Sequence, residues 1–383
     1  MFKDEIATIK ALYPNKELIP LHEPYFSGNE KKYVLDCIDS TFVSSVGKYV
    51  NQLEDMVCEF TKAKSAIAVN SGTSALHLAL ITLGVEREDE VITQSLTFVA
   101  TCNAISYCGA KPIFIDISPD NLGMCCKQLE FFLRNYTKMQ NGVCVNQKTG
   151  KKIKAIVPMH TFGIPCEMDS IKDIAKEFNL ALVEDAAESI GSRYKDLHTG
   201  LWGDIGVLSF NGNKTITTGG GGMLITNDDK LAEKLKHIST TAKVNHPHMF
   251  IHDEIGYNYR MPNINAALGC AQFENLTTIL KIKTQIHRYY QKNLSNDYFK
   301  LLIPKGDLVA NHWLNALVFK DEQSKEGFIA DALEEKVFVR SVWKPMHELE
   351  MYKDCFSMPL HITEQFSKRI LNIPSGLLGS KFI

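Results

Sequence analysis

The chain has 383 residues, of which 45% are hydrophobic and 22% charged, with 24 Gly and 13 Pro; these ordinary globular values exclude a disordered, collagenous or repeat-built protein. A formal charge of −2 leaves no global basic field to hold nucleic acid or an anionic membrane by counterion release, so the partner expected is a small molecule. Domains commonly run to roughly 100–200 residues, which makes two lobes the natural expectation.

In chain order, the N-terminal Met1-Phe2-Lys3-Asp4-Glu5 carries acids where a signal peptide would be apolar. No stretch reaches the roughly 18 apolar residues that span a bilayer, so a cytoplasmic protein is expected. From Ala63 to Asn227 short apolar runs alternate with amphipathic ones. Ser65 to Val69, Glu90 to Thr93, Pro112 to Ile115, Lys154 to Pro158 and Ala181 to Val183 read as buried strands. Ser74 to Leu83, Val99 to Cys108 and Ser170 to Phe178 have helical spacing between them. The alternation predicts an α/β fold, a mostly parallel sheet covered by helices on both faces.

Two further strands, Gly206 to Phe210 and Gly222 to Thr226, flank a glycine-rich turn with little helix between them, a hairpin-like insertion that breaks the simple winding. Beyond Pro262 one long helix is predicted from Asn263, read as its N-cap, to about Leu294. A strand near Trp313 to Phe319, a helix near Glu326 to Glu335 and a strand near Val337 to Ser341 follow. The lobe boundary is placed at about 255–265, giving a large domain 1–258 and a smaller α/β domain 259–383. Ten cysteines are too thinly spread for a disulfide scaffold, and without Cys-x-x-Cys or paired His/Cys clusters no metal site is expected.

Three segments could carry chemistry. Val69-Asn70-Ser71-Gly72-Thr73-Ser74 is a strand, a small-residue turn and a helix start, where open amides and hydroxyls suit an anion such as phosphate, or simply cap the helix. Glu184-Asp185-Ala186-Ala187-Glu188 puts acids at the carboxyl end of a buried strand. They could hold a positive ring nitrogen, a metal or a sugar hydroxyl, or decorate a helix N-terminus. Ser209-Phe210-Asn211-Gly212-Asn213-Lys214 sets a lone lysine on a tight turn before Gly219 to Gly222. Asn213 stands where a Walker A loop requires glycine, so a P-loop is rejected. A dinucleotide fold fails too, because Asn70 to Ala75 does not supply Gly-x-Gly-x-x-Gly. A lysine whose amine is desolvated or crowded by cations forms Schiff bases with aldehydes. Together, phosphate cradle, acid and amine are the three contacts that pyridoxal 5'-phosphate (PLP) demands.

Six segments in order then resemble one family: Ile19 to Tyr25, Phe42 to Gly47, Asn70 to Leu78, Glu184 to Gly191, Ser209 to Lys214 and Gly256 to Met261. Over about Ile19 to Pro374 the sequence resembles the DegT/DnrJ/EryC1/StrS sugar aminotransferases, PLP-dependent transferases of fold type I. It looks most similar to members that aminate C4 of a nucleotide-linked 2-acetamido-4-keto-6-deoxy sugar in bacillosamine or legionaminic acid pathways. The resemblance implies that Lys214 holds the cofactor aldehyde and serves as general base, that Asp185 partners the ring nitrogen, and that Ser209 with Gly72, Thr73 and Ser74 binds phosphate. It implies that Phe98 stacks on the ring and Glu188 lies near the ring hydroxyl. Asn258 and Arg260 match residues that reach cofactor or substrate from a neighbouring subunit, implying a homodimer with a shared site. Tyr25 and His347 fall near where relatives hold the nucleotide sugar. L-Glutamate is the amino donor implied. Many relatives continue with a further helix past Asn372-Ile373-Pro374, whereas this sequence stops at Ile383. Competing readings are a 3-keto sugar aminotransferase, a PLP-dependent sugar dehydratase, in which His replaces the lysine, and a non-catalytic ligand sensor.

Overall fold

The computed structural model describes residues 1–383. Three helices open the chain, α1 (Lys3–Leu12), α2 (Glu30–Asp39) and α3 (Lys48–Thr61), where the sequence reading assigned no element. The alternating region then gives β1 (Ser65–Val69), α4 (Gly72–Thr82), β2 (Glu90–Gln94), α5 (Val99–Tyr107) and β3 (Lys111–Ile115). After α6 (Cys126–Tyr136) come β4 (Lys152–Val157), α7 (Met168–Glu177), β5 (Ala181–Asp185), β6 (Ile205–Ser209), β7 (Gly222–Thr226) and α8 (Asp229–Ser239). Strands such as β2, β6 and β7 are buried at every position, which is why they read as unbroken apolar runs rather than alternating ones.

The main sheet runs β1-β7-β6-β5-β4-β2-β3. β6-β5-β4-β2-β3 pair in parallel, while β7 is antiparallel to both β1 and β6. A hairpin at 137–146, missed in the sequence, extends the sheet beyond β4. The antiparallel β7 brings the glycine run Gly219 to Gly222 back against the start of α4: a Cβ on Gly222 would lie 2.5 Å from the Ser71 carbonyl carbon, so only glycine fits there. The functional turns thereby collect at the carboxyl ends of the parallel strands.

The C-terminal sheet is antiparallel, ordered β8 (Phe299–Leu301), β9 (Asn315–Phe319), β11 (Ile370–Ile373) and β10 (Arg340–Ser341), with α11 (Glu322–Glu334) packed on it. Packing divides the chain differently from the 255–265 boundary. Phe2, just before α1, packs edge-on or tilted against Phe299, Phe319 and Phe328 of this second lobe, so the first helix docks far from its sequence neighbours. Conversely α9 (Asn263–Glu274) packs on α2 and α3.

The single long helix expected from Asn263 is two, α9 and α10 (Leu276–Asn293), broken at Asn275. Nor is Asn263 an N-cap; Pro262 holds that position without a side-chain cap. The Asn263 amide is instead spent on another segment: Oδ1 accepts from the Tyr49 N–H at 3.0 Å and Nδ2 donates to the Phe42 carbonyl at 2.6 Å. A Cβ on Gly47 would lie 2.2 Å from Asn263 Cγ, which explains the glycine before α3. Asn263→Ala strands the buried Tyr49 N–H and the part-buried Phe42 carbonyl and is expected to lose about 2 kcal/mol in urea denaturation; a loss under about 0.5 kcal/mol would contradict this tie.

Candidate active site

A cavity of about 320 Å³ opens at the carboxyl ends of β1, β5 and β6, lined among others by Gly72, Thr73, Phe98, Asp185, Glu188, Ser209 and Lys214. At one end lies the N-terminus of α4. Its N-cap Ser71 accepts from the Ser74 N–H at 3.0 Å, and the Ser74 hydroxyl donates to Asn70 Oδ1 at 2.7 Å. Ser74 is thus spent on capping and does not line the cavity, which leaves the Gly72 and Thr73 amides at the positive end of the helix dipole for an anion. A Cβ on Gly72 would stand 3.0 Å from Ser209 Cβ and 3.2 Å from its Oγ. Glycine here keeps the Ser209 hydroxyl level with the amides.

At the other end the Lys214 amine lies 3.1 Å from Glu188 Oε1 and 4.3 Å from the centre of the Trp313 ring. Glu188 is buried, and its other oxygen accepts from the Phe162 N–H at 2.9 Å. Burial pushes the Glu188 pKa up, against the pull of the Lys214 charge. Asp185, 3% exposed, ends β5; its oxygens accept from the Thr101 hydroxyl at 2.7 Å and the Ala187 N–H at 3.2 Å. It has no ion-pair partner, and burial raises its pKa.

Behind Asp185, the preceding residue anchors the strand end. Glu184 Oε1 accepts from the Trp202 and Gly203 amides, and Oε2 from the Gly200 amide at 2.8 Å and His160 Nε2 at 3.0 Å. Because His160 Nδ1 accepts from the Cys166 N–H at 3.1 Å, its proton sits on Nε2, facing the acid. Close by, His198 accepts from the Gly191 N–H at 2.8 Å through Nε2, while Nδ1 donates to the Thr199 carbonyl. Protonating Nε2 would set two donors face to face in a buried site; burial lowers its pKa from 6.5 to about 4. The unfolded chain takes up this proton first as pH falls, so stability is full above about pH 6.5 and lost towards pH 4. The loss is expected to approach roughly 3 kcal/mol. Urea midpoints measured between pH 7.5 and 4.5 should fall, and fall less steeply in His198→Gln; parallel slopes would contradict the assignment.

The remaining residues expected from the sequence lie elsewhere in the single chain. Asn258 is exposed, bridging Thr240. The Arg260 guanidinium pairs with Glu54 at 2.8 Å, and Glu54 also accepts from the Ala68 N–H at 2.8 Å. Tyr25 is partly buried, its carbonyl held by Gln272 at 2.8 Å. His347 Nδ1 lies 2.8 Å from the Ser95 hydroxyl. The sequence reading missed Trp313 and Asn311. Asn311 Nδ2 donates to the Glu188 and Ile190 carbonyls at 2.9 and 3.0 Å, its Oδ1 accepts from the Trp313 N–H at 2.9 Å, and the Trp313 indole donates to the Asn213 carbonyl at 2.8 Å. Asn311 Nδ2 also donates to the Thr215 hydroxyl at 3.3 Å, so the second lobe holds the residues on both sides of Lys214. No periodicity signals this, since the contacts bridge about a hundred residues.

Free helix amides beside a serine, a buried acid without an ion-pair partner and an amine across the cavity fit pyridoxal phosphate: Asp185, open to the cavity, is placed to meet the positive charge of a protonated ring nitrogen. Sheet and site together define a fold-type I PLP-dependent aminotransferase. The model of the DegT/DnrJ/EryC1/StrS aminotransferase family matches residues 24–378, and the chain belongs to that family. It is 38% identical over 357 residues to a GDP-perosamine synthase of Escherichia coli O157:H7, covering 93% of each chain. With the UDP-4-amino-4,6-dideoxy-N-acetyl-beta-L-altrosamine transaminase of Campylobacter jejuni it shares 34% over 347 residues, 88% of each. The solved Helicobacter pylori PseC, an aminotransferase involved in the biosynthesis of pseudoaminic acid, superposes with a TM-score of 0.83 at 26% identity over 93% of both chains. The protein is a PLP-dependent sugar aminotransferase, and none of its helices is long and apolar enough to cross a membrane.

Proposed function

We propose that the enzyme moves the amino group of L-glutamate to the C4 ketone of a nucleotide-linked 2-acetamido-4-keto-2,6-dideoxy sugar. The observation that carries this reading is the amine of Lys214 beside a buried Glu188 and across the cavity from the free amides of α4. The C4 assignment draws on the Campylobacter relative, whose name specifies a 4-amino-4,6-dideoxy N-acetyl sugar on UDP. The name of the Escherichia relative favours a second reading, a GDP-linked sugar.

When bound, PLP supplies an aldehyde that takes the amine and a ring that accepts the electron pair of a broken C–H bond. The Gly72 and Thr73 amides and the Ser209 hydroxyl would hold its phosphate, Phe98 would cover its ring, and Glu188 would serve the ring hydroxyl. Asp185 would keep a proton on the ring nitrogen. Lys214 removes the α-proton of glutamate in the first half-reaction, and in the second delivers a proton to C4 of the sugar. Lysine in this role, rather than histidine, favours amination over dehydration. A panel of UDP- and GDP-linked 4-keto and 3-keto sugars, each incubated with glutamate and read by mass, tests the substrate. Amination of 3-keto sugars alone would overturn the C4 assignment.

The working unit in this reading is a homodimer. Phe42, Val43 and Val46 are 56%, 44% and 72% exposed, an apolar edge that a second copy would cover, and Asn258 lies outside its own chain's cavity, as a residue serving the other chain would. Mixing Lys214→Ala with Asn258→Ala chains is expected to regain activity by forming one intact site. No recovery on verified mixing would contradict a shared site.

A further inference from the structure

Trp313 has a property beyond its hold on the lysine turn. The Lys214 amine stands over the face of its ring, 4.3 Å from the centre. That face is fixed by what surrounds it. The indole N–H is spent on the Asn213 carbonyl and the Trp313 amide on Asn311 Oδ1, while the Trp313 carbonyl accepts from Lys283 Nζ at 2.9 Å. Lys283, fully buried on α10, also donates to the Ser375 carbonyl at 2.7 Å. The Trp313 side chain is 2% exposed and belongs to one apolar cluster with Leu96, Phe162 and Ile370. It does not line the cavity; only the lysine stands between the two.

A lysine that takes a proton in one half-reaction and gives one in the other must be neutral for part of the cycle and charged for the rest. Two neighbours of the amine favour its charged form, and they differ in kind. Glu188 Oε1, at 3.1 Å, attracts the ammonium but can also take its proton, the more readily because burial raises the Glu188 pKa. The tryptophan ring attracts a cation through its quadrupole and offers no lone pair to bind the proton. An aromatic face therefore stabilises positive charge on the lysine without competing for the proton that makes it. Its pull on the neutral amine is slight and grows as the proton arrives, so it acts more in the transition state than before it.

We propose that Trp313 is a positioning residue for the proton steps, its ring face holding the Lys214 amine as positive charge develops there. This rests on the reading of Lys214 as the group that removes the α-proton of glutamate. Since the ring lies outside the cavity lining, its loss should slow turnover without weakening the hold on glutamate. The competing role is purely structural: a large side chain that fills the space behind the turn and ties it through the indole N–H.

Fluorinated tryptophans separate the two roles. One, two or three fluorines on the benzene ring, introduced at position 313 alone, keep the shape and the indole N–H while drawing charge from the face. The holoenzyme's single-turnover release of 2-oxoglutarate from glutamate, without any sugar, should slow stepwise, by on the order of 10-fold at three fluorines. The glutamate concentration for half-maximal rate and the melting temperature should stay unchanged. Trp313→Leu is expected to lose at least about 10-fold in the same rate. Trp313→Phe, which restores a face without the N–H, should recover most of it, although both variants lose the bond to Asn213. Borohydride should fix cofactor to Lys214 in every variant, because the ring acts on the amine only when it is free of the aldehyde. A rate indifferent to fluorination, or one that falls only as the melting temperature falls, would overturn the role of Trp313 and leave that of Lys214 standing. A wild type that releases no 2-oxoglutarate, or whose label falls on another lysine, would overturn both.

Discussion

Lys214→Ala is expected to abolish amino transfer, by at least about 10³-fold, because proton transfer alone contributes roughly 10²–10⁴ and the lysine also holds the aldehyde. The loss is chemical rather than structural. The lysine side chain is 12% exposed on a turn held from outside by Trp313 and Asn311 through backbone atoms and the indole, which the substitution leaves in place; the pairing with buried Glu188 is lost, but burial, which already raises the Glu188 pKa, lets that acid go neutral. The variant should melt within a few degrees of the wild type and still bind cofactor through the α4 amides and Ser209. Borohydride treatment of the wild type should fix cofactor to the peptide containing Lys214, and of the variant to none. Borohydride labelling of a different lysine in the wild type would show that the amine has been wrongly placed.

Glu184→Leu is expected to cause the largest loss of stability, about 3–5 kcal/mol by chemical denaturation. Its carboxylate takes hydrogen bonds from His160 and from the amides of Gly200, Trp202 and Gly203 in a fully buried site. An apolar replacement strands four donors, each left without the water it would have had in the unfolded chain. Glu184 directly precedes Asp185, whose amide and carbonyl are tied to Pro158 and His160. The acid proposed to hold the ring nitrogen is therefore placed by the acid before it. Spacing alone does not divide the labour between the two adjacent acids, and only the family resemblance assigned the ring nitrogen to Asp185. Partner geometry does: Glu184 faces a closed set of donors, Asp185 an open cavity.

The same distinction runs through the molecule. The buried strands were legible because double burial writes itself as short apolar runs, and the lysine turn because a charge between such runs has few structural uses. The α4 cradle was legible as a helix start, but Ser74 is consumed in capping and Ser71 accepts its amide, a choice that only local geometry makes. Features that join distant residues left no trace in any window. Phe2 docks on the second lobe across almost the whole chain, Asn263 serves the loop before α3 instead of its own helix, and Trp313 with Asn311 brackets the lysine turn. Asn275, which ends α9 and begins α10, carries no glycine or proline to announce the break.

Transfer of isotope is the most direct test of the central claim. The holoenzyme, given L-glutamate labelled with ¹⁵N at the amine and a 4-keto nucleotide sugar, should yield a sugar that carries the label at C4, with one 2-oxoglutarate for each amine moved and none of either product from Lys214→Ala. A wild type that leaves the label in glutamate across the UDP and GDP panel, or a Lys214→Ala variant that still transfers it, would contradict the account.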